Sequence, residues 1–229
     1  MLASVRQIAQ DGRILLLSAF RIMKGHLVEV GAFALIVSAL AIAVHNYDAQ
    51  LYSLLKEDRG HALKQIARIL SKFGETQKGP AILAIGIWGV GFVIRRRTWQ
   101  MAAIACLLAA CLAGATADIA KMAAGRPRPK IEMRDQFHGV HWSDDFHGFV
   151  SAHAATSFGT ATALTVALPA IGVLTIPAAA LVTWSRVALG NHYPSDCLLG
   201  AALGFLFGVP LGLAVRELGL GSDDGRPSV

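Results

Sequence analysis

Apolar residues along this chain gather into long runs, and the charged residues stand between them. Residues 27–45 (LVEVGAFALIVSALAIAVH) are the first run of the right length for a helix across a bilayer, which takes roughly 20 residues for ~30 Å of hydrocarbon. Five more follow: residues 80–94, stopped by Arg95, Arg96 and Arg97; residues 100–120, rich in Ala, Leu and Cys; and residues 152–169, 171–189 and 196–215. The fourth and fifth are nearly continuous, and the boundary is set near Pro169. The pattern predicts an all-α integral membrane protein with six transmembrane helices in a bundle. Small residues abound in the last four spans and allow close approach of helix backbones in lipid. Pro177 and Pro210 inside spans are tolerable in such a bundle.

Residues 51–73 carry a different pattern. Leu51, Leu54, Leu55, Ala62, Leu63, Ile66, Leu70 and Phe73 recur at helical spacing, and Lys56, Arg59, Lys64, Arg68 and Lys72 fall largely outside that stripe. This predicts one amphipathic helix, which either lies on the membrane or packs as an ordinary surface helix. Residues 1–26 read as a cytoplasmic or interfacial segment, 27–216 as one six-span domain, and 217–229 as a polar, disordered tail. The run 14–20 (ILLLSAF) is short, and no convincing small-residue cleavage site follows, so the first span is expected to serve as an uncleaved insertion signal.

Composition agrees: 54% of residues are hydrophobic and only 16% charged, against about 25% charged in soluble domains. The net charge of +6 suits anionic lipid or a phosphorylated substrate, and the apolar runs argue against nucleic acid as a partner. Cys106, Cys111 and Cys197 lie within apolar runs as small hydrophobes, with neither a disulfide framework nor metal-ligand spacing. The positive-inside rule puts Arg95–Arg97 in the cytoplasm. The segments 46–79 and 121–150 then face outward, although both carry Lys and Arg. Glu29, near the cytoplasmic end of the first span, is expected to reach the headgroups.

Counting spans puts the unusual polar residues on one side of the membrane. Lys121 ends the third span, with Arg126 and Arg128 after it; Ser151 and His153 open the fourth; Ser185 and Arg186 close the fifth; His192 and Asp196 stand at the entrance to the sixth. Lys121, Arg128 and Arg186 offer charge-assisted donors to a phosphate, and the free N–H groups of the helix that begins at Ser151 favour an anion. His153 and His192 offer a general acid and a nucleophile. Asp196 lies beside the His192 imidazole if the chain is already helical there. Taken singly, the cations also read as headgroup anchors, Ser151 as a helix cap, and His192 with Asp196 as a structural pair. His138, His141, His147, Asp135, Asp144 and Asp145 crowd residues 130–150 without a metal-binding spacing, which favours a solvated loop or substrate cap over a metal site. Trp142 and Phe146 suit the membrane interface there. No cysteine-phosphatase Cys–Arg spacing, HExxH, P-loop or GxSxG elbow is present.

Lys121-x6-Arg128-Pro129, Ser151-x-His153 and Ser185-Arg186-x5-His192-x3-Asp196 together resemble the three-part signature of the type 2 phosphatidic acid phosphatase superfamily, shared with vanadium haloperoxidases. The resemblance spans residues 115–205. It implies that His192 attacks phosphorus to form a phosphohistidine, Asp196 orients His192, and His153 protonates the leaving oxygen. Lys121, Arg128, Ser151, Ala152, Ser185 and Arg186 would bind the phosphate, with no metal or cofactor. The second part usually reads Pro-Ser-Gly-His; here Val150-Ser151-Ala152-His153 stands in its place, so a methyl is added where glycine allows close approach. The implied activity is hydrolysis of a lipid phosphate at the outer face of the inner membrane, with undecaprenyl diphosphate, phosphatidylglycerol phosphate, phosphatidic acid and lipid A phosphate as candidates. A phosphotransferase using the same phosphohistidine and a non-catalytic lipid-binding protein are the alternatives. Purified protein in detergent is expected to release phosphate from a lipid phosphate in excess EDTA; strict dependence on added metal contradicts this reading.

Overall fold

The computed structural model describes residues 2–56, 60–74 and 78–223. Among them are ten α-helices: α1 (Leu2–Gly25), α2 (Leu27–His45), α3 (Asp48–Leu55), α4 (His61–Phe73), α5 (Lys78–Val93), α6 (Arg97–Ala124), α7 (Ala152–Ala167), α8 (Pro169–Gly172), α9 (Thr175–Ala188) and α10 (Pro194–Asp223). Four stretches are long and apolar enough to cross a membrane: Leu27–His45, Arg97–Ala124, Pro169–Ala188 and Pro194–Gly219. The other two expected spans, α5 and α7, are helices of 16 residues each, about 24 Å long at 1.5 Å per residue and so shorter than the hydrocarbon layer.

Three expectations change. The segment 51–73 is two helices, α3 and α4, with Lys56 extended after α3 (ψ 129°) and residues 57–59 outside the described part. Residues 217–223 continue α10 instead of forming a tail; 224–229 lie outside the described residues. The segment before the first span is a helix anchored against the bundle. In α1, Leu15 is fully buried, and Asp11, also buried, accepts from Arg97 Nη2 at 2.7 Å and from Gln7 Nε2 at 3.0 Å. That anchor sits at the Arg95–Arg97 end of the molecule, where α5 turns into α6.

The core lies between α6, α7 and α10, and small residues set its spacing. Gly200, Gly204, Gly208 and Gly212 recur every fourth residue on α10, so they share one face. That face lies against the α7 backbone. A Cβ on Gly204 would meet Gly159 N at 2.6 Å and Ala155 O at 2.8 Å, and one on Gly208 would meet Gly159 O at 2.8 Å. Gly200 lies as close to the carbonyl of Ser151, so the seam continues to the first residues of α7.

Helix α4 packs on α9 through Ala67 and Ser71, both buried, and through Gly74, where a Cβ would collide with Val182. Leu63, Ile66, Ile69 and Phe73 stay exposed on one side of that seam, and Lys64, Arg68 and Lys72 are exposed on the other.

Gly204→Leu is expected to cost about 1–3 kcal/mol by overpacking. In a protein of this size that lowers Tm in detergent by roughly 2–4 °C per kcal/mol. Gly86→Leu, at a position with open space around it, should melt like the wild type; equal Tm for both variants would contradict the seam.

Candidate active site

Glycine and proline fix the entry to the site. Helix α6 stops at Gly125, whose left-handed φ of 57° and close approach to the carbonyl of Gly139 exclude a side chain. Pro127 and Pro129 then hold Arg126 and Arg128 in extended chain. This stretch is clamped on two sides. Arg128 N donates to Asp145 O at 2.9 Å, Gly148 N to Arg126 O at 2.8 Å, and Lys130 N to Gly190 O at 3.0 Å.

Ser151, fully buried, caps α7: its Oγ accepts from Ala154 N at 3.4 Å, and its own N–H donates to Asp196 O at 3.1 Å. The methyl of Ala152, where the resembled signature has glycine, packs among Ala113, Ala117, Val150 and Ala155. It therefore points into an apolar cluster, and the N–H stays in the first turn of the helix.

Lys121, Arg128 and Arg186 converge on the two histidines, for the charges of all three act on both His153 and His192. Lys121 Nζ pairs with Asp118 Oδ1 at 2.6 Å, Arg128 Nη1 donates to Asn191 Oδ1 at 3.2 Å, and Arg186 Nη1 donates to Ser71 Oγ at 2.5 Å. Neither arginine is satisfied by these contacts. Of the three buried side-chain polar atoms without a partner among the described residues, two are Arg128 Nε and Arg186 Nε. A buried, unmatched guanidinium N–H is costly, and two of them beside two imidazoles suit an anion with several oxygens. Burial holds the Arg128 pKa below its ordinary value despite the nearby Asp144 and Asp145.

His192 is buried, and its Nδ1 lies 2.6 Å from the carbonyl of Gly148. A carbonyl only accepts, so Nδ1 carries the hydrogen. Burial, followed by the charge of Arg186, holds the His192 pKa well below the usual histidine range; the Gly148 bond opposes this, and Arg128 and Lys121 reinforce it. The ring is therefore neutral at pH 7, with the lone pair on Nε2.

Two sequence expectations are corrected here. Asp196 was expected beside the imidazole, but α10 begins at Pro194, so His192 precedes the helix and the four-residue spacing does not bring the two together. The carboxylate instead accepts from Tyr193 N at 2.7 Å and from Arg126 Nη1 at 2.5 Å. Ser185, fully buried, donates its hydroxyl to Val182 O at 2.6 Å within α9 and so has no proton to offer a phosphate.

Residues 130–150 form a held loop. The His141 ring stacks on Phe146 at 3.9 Å, His138 meets Phe146 edge-on at 5.1 Å, and His147 Nε2 bonds to His141 O at 3.0 Å. Trp142 is 82% exposed, Phe146 half-buried. Among the described residues one group has metal-ligand geometry, His45, Asp48 and Asp135. Its centre is filled by Arg126 Nη2, which lies 3.2, 2.8 and 2.6 Å from those side chains. Arg126 is the residue whose weight the sequence concealed. It sat among the cations after α6, while its partners His45, Asp48 and Asp196 lay 81, 78 and 70 residues away along the chain without a shared motif.

Comparisons with known proteins bear on this geometry. The family described as the PAP2 superfamily matches residues 102–218. The lipid A 1-phosphatase of Rhizobium etli is 27% identical over 202 residues, covering 80% of this chain and 84% of that protein. The decaprenylphosphoryl-5-phosphoribose phosphatase of Mycobacterium tuberculosis is 35% identical over 153 residues, covering 62% and 75%. The fold is similar to the crystal structure of a PAP2-type phosphatidylglycerolphosphate phosphatase from Bacillus subtilis, with a TM-score of 0.60, 22% identity and 85% and 98% of the two chains covered. It is also similar to LpxE from Aquifex aeolicus, with a TM-score of 0.53, 22% identity and 73% and 94% covered. Matched over more than half its length, the chain belongs to the PAP2 superfamily of phosphate-ester hydrolases.

Proposed function

We propose that this protein removes phosphate from a membrane lipid through a phosphohistidine on His192, at the outer face of the inner membrane. The observation that carries the reading is the pair of buried, unmatched arginine Nε groups beside two imidazoles. A phosphoryl group held by Lys121, Arg128 and Arg186 presents phosphorus to His192 Nε2. The P–N bond forms as the bond to the lipid oxygen breaks, and His153, protonated once the bound phosphate offsets the three cations beside it, gives that oxygen its proton. Water then attacks phosphorus and returns a proton to His153, freeing inorganic phosphate and neutral His192. Fixed cations and the N–H groups of the first turn of α7 face the charge that develops on the phosphoryl oxygens.

Two features support a lipid substrate acting on that face. Arg95–Arg97 lie at the other end of α6, 28 residues long and thus about 42 Å from end to end. Positive-inside topology then leaves the site outside. Next to the site, a cavity of about 460 Å³ opens between α5, α6 and α7, lined by Pro80, Ala81, Leu107, Cys111, Gly114, Ala115, Asp118 and Thr156. Asp118 is the partner of Lys121, and Thr156 lies one turn beyond His153. From there to Leu107 the cavity follows eleven residues of α6, about 16 Å, enough to take part of a hydrocarbon chain.

The test is phosphate release in detergent from undecaprenyl diphosphate, phosphatidylglycerol phosphate, phosphatidic acid and lipid A phosphate, alongside short-chain dihexanoyl phosphatidic acid. His192→Ala should abolish release from every substrate. Ala115→Trp should lower kcat/KM for the long-chain substrates by about tenfold or more and leave the short-chain substrate unchanged, because the lost interaction is with the tail. Retained activity in His192→Ala contradicts the mechanism, and equal behaviour of long and short chains in Ala115→Trp contradicts the tail cavity.

A further inference from the structure

Arg126 is completely buried, and its donors are all engaged. Nε donates to Asp135 Oδ1 at 2.8 Å, Nη1 to Ser195 Oγ at 2.9 Å and Asp196 Oδ1 at 2.5 Å, and Nη2 to Asp48 Oδ2 at 2.8 Å and Asp135 Oδ2 at 2.6 Å. The ring of Tyr193 lies 4.4 Å from its guanidinium carbon. Burial opposes the charge, but Asp135, Asp196 and Asp48 more than reverse that, so the guanidinium stays charged. With every donor taken, Arg126 has none left for a phosphate.

Its connections lead to both halves of the reacting site. Through the main chain, Arg126 O accepts from Gly148 N at 2.8 Å, and Gly148 O in turn receives the Nδ1 hydrogen of His192 at 2.6 Å. A Cβ on Gly148 would sit 2.8 Å from Arg126 O, so this approach requires glycine. Through the side chain, Arg126 holds Asp196, whose carbonyl accepts from Ser151 N at 3.1 Å and whose Oδ2 accepts from Tyr193 N, the residue after His192. Asp48 braces the far side, taking Ser195 N at 2.9 Å and Ser195 Oγ at 2.5 Å.

We propose that Arg126 is the positioning residue of this active site: it fixes the tautomer and depth of His192 through Gly148 and the start of α7 through Asp196. The inference rests on the phosphatase reading above. Lysine is a poor substitute, because one ammonium cannot bind Asp135 in two places and also reach Asp48 and Asp196.

Purified Arg126→Lys, Arg126→Gln and Asp48→Asn should be assayed on dihexanoyl phosphatidic acid, with folding checked by thermal melting and with inorganic phosphate as inhibitor. For folded Arg126→Gln, kcat should fall about 10²-fold, the scale of a misplaced reacting group. Arg126→Lys and Asp48→Asn should each lose about tenfold, while the inhibition constant for phosphate, set by Lys121, Arg128 and Arg186, stays within about threefold of wild type. Wild-type kcat in folded variants would make Arg126 only a structural anchor, and a parallel loss of phosphate affinity would place its effect on the cation cluster; either outcome overturns the proposal. If the Arg126 variants do not fold, Asp48→Asn decides by the same split. A wild-type protein that releases no phosphate from any lipid defeats the phosphatase reading itself, a result distinct from variants that match an active wild type.

Discussion

One buried charge organises the end of this molecule that carries the candidate site. Arg126 is withdrawn from solvent beside Asp48 and Asp196, which are buried with it, and Asp135, which is partly exposed. Taking an isolated guanidinium out of water is prohibitive, so its position is tolerable only where carboxylates surround it with good geometry. Those carboxylates come from the start of α3, from the loop after α6 and from the start of α10. The charge can be satisfied only when these distant segments meet. Removing one partner of a buried pair typically costs about 3–5 kcal/mol, so the segments are held together by the penalty of separating them.

The glycine seam of α10 does for the helices what Arg126 does for the loops. With no side chain at positions 200, 204 and 208, α10 approaches the backbone of α7, so that Ser151 N reaches Asp196 O. Helix α9 arrives from the other side and brings Arg186, whose carbonyl accepts from the N–H groups of Asn191 and His192 at 3.0 and 3.3 Å. The turn that carries His192 is thus tied directly to the backbone of Arg186. The proposed phosphate-binding cation and the proposed nucleophile therefore share one corner.

Much of this was legible in the residues. Long apolar runs are a strong signal, and the boundaries at 27–45 and near Pro169 match α2 and the short α8 before α9. The convergence of Lys121, Arg128, His153, Arg186 and His192 followed from counting helices. Local rules failed where they extrapolated one pattern through a break. A continuous stripe over 51–73 concealed the extended chain at Lys56. The polar tail assigned from residue 217 overlooked how helical order in α10 continues past the apolar run. The pairing of Asp196 with His192 assumed a helix two residues before it begins. Arg126 was hardest to read, because its role is defined by His45, Asp48 and Asp196, and pairings across such separations leave no local period or spacing.

The central claim, that His192 Nε2 is the atom that takes the phosphoryl group, is tested most directly by trapping the enzyme. Protein incubated briefly with a 32P-labelled lipid phosphate should be quenched in alkali, digested and mapped. The label is expected to survive base, to be lost in acid and to lie on the peptide containing His192. Active enzyme that yields label on another residue, or none under conditions that trap phosphohistidine in a control enzyme, would contradict it.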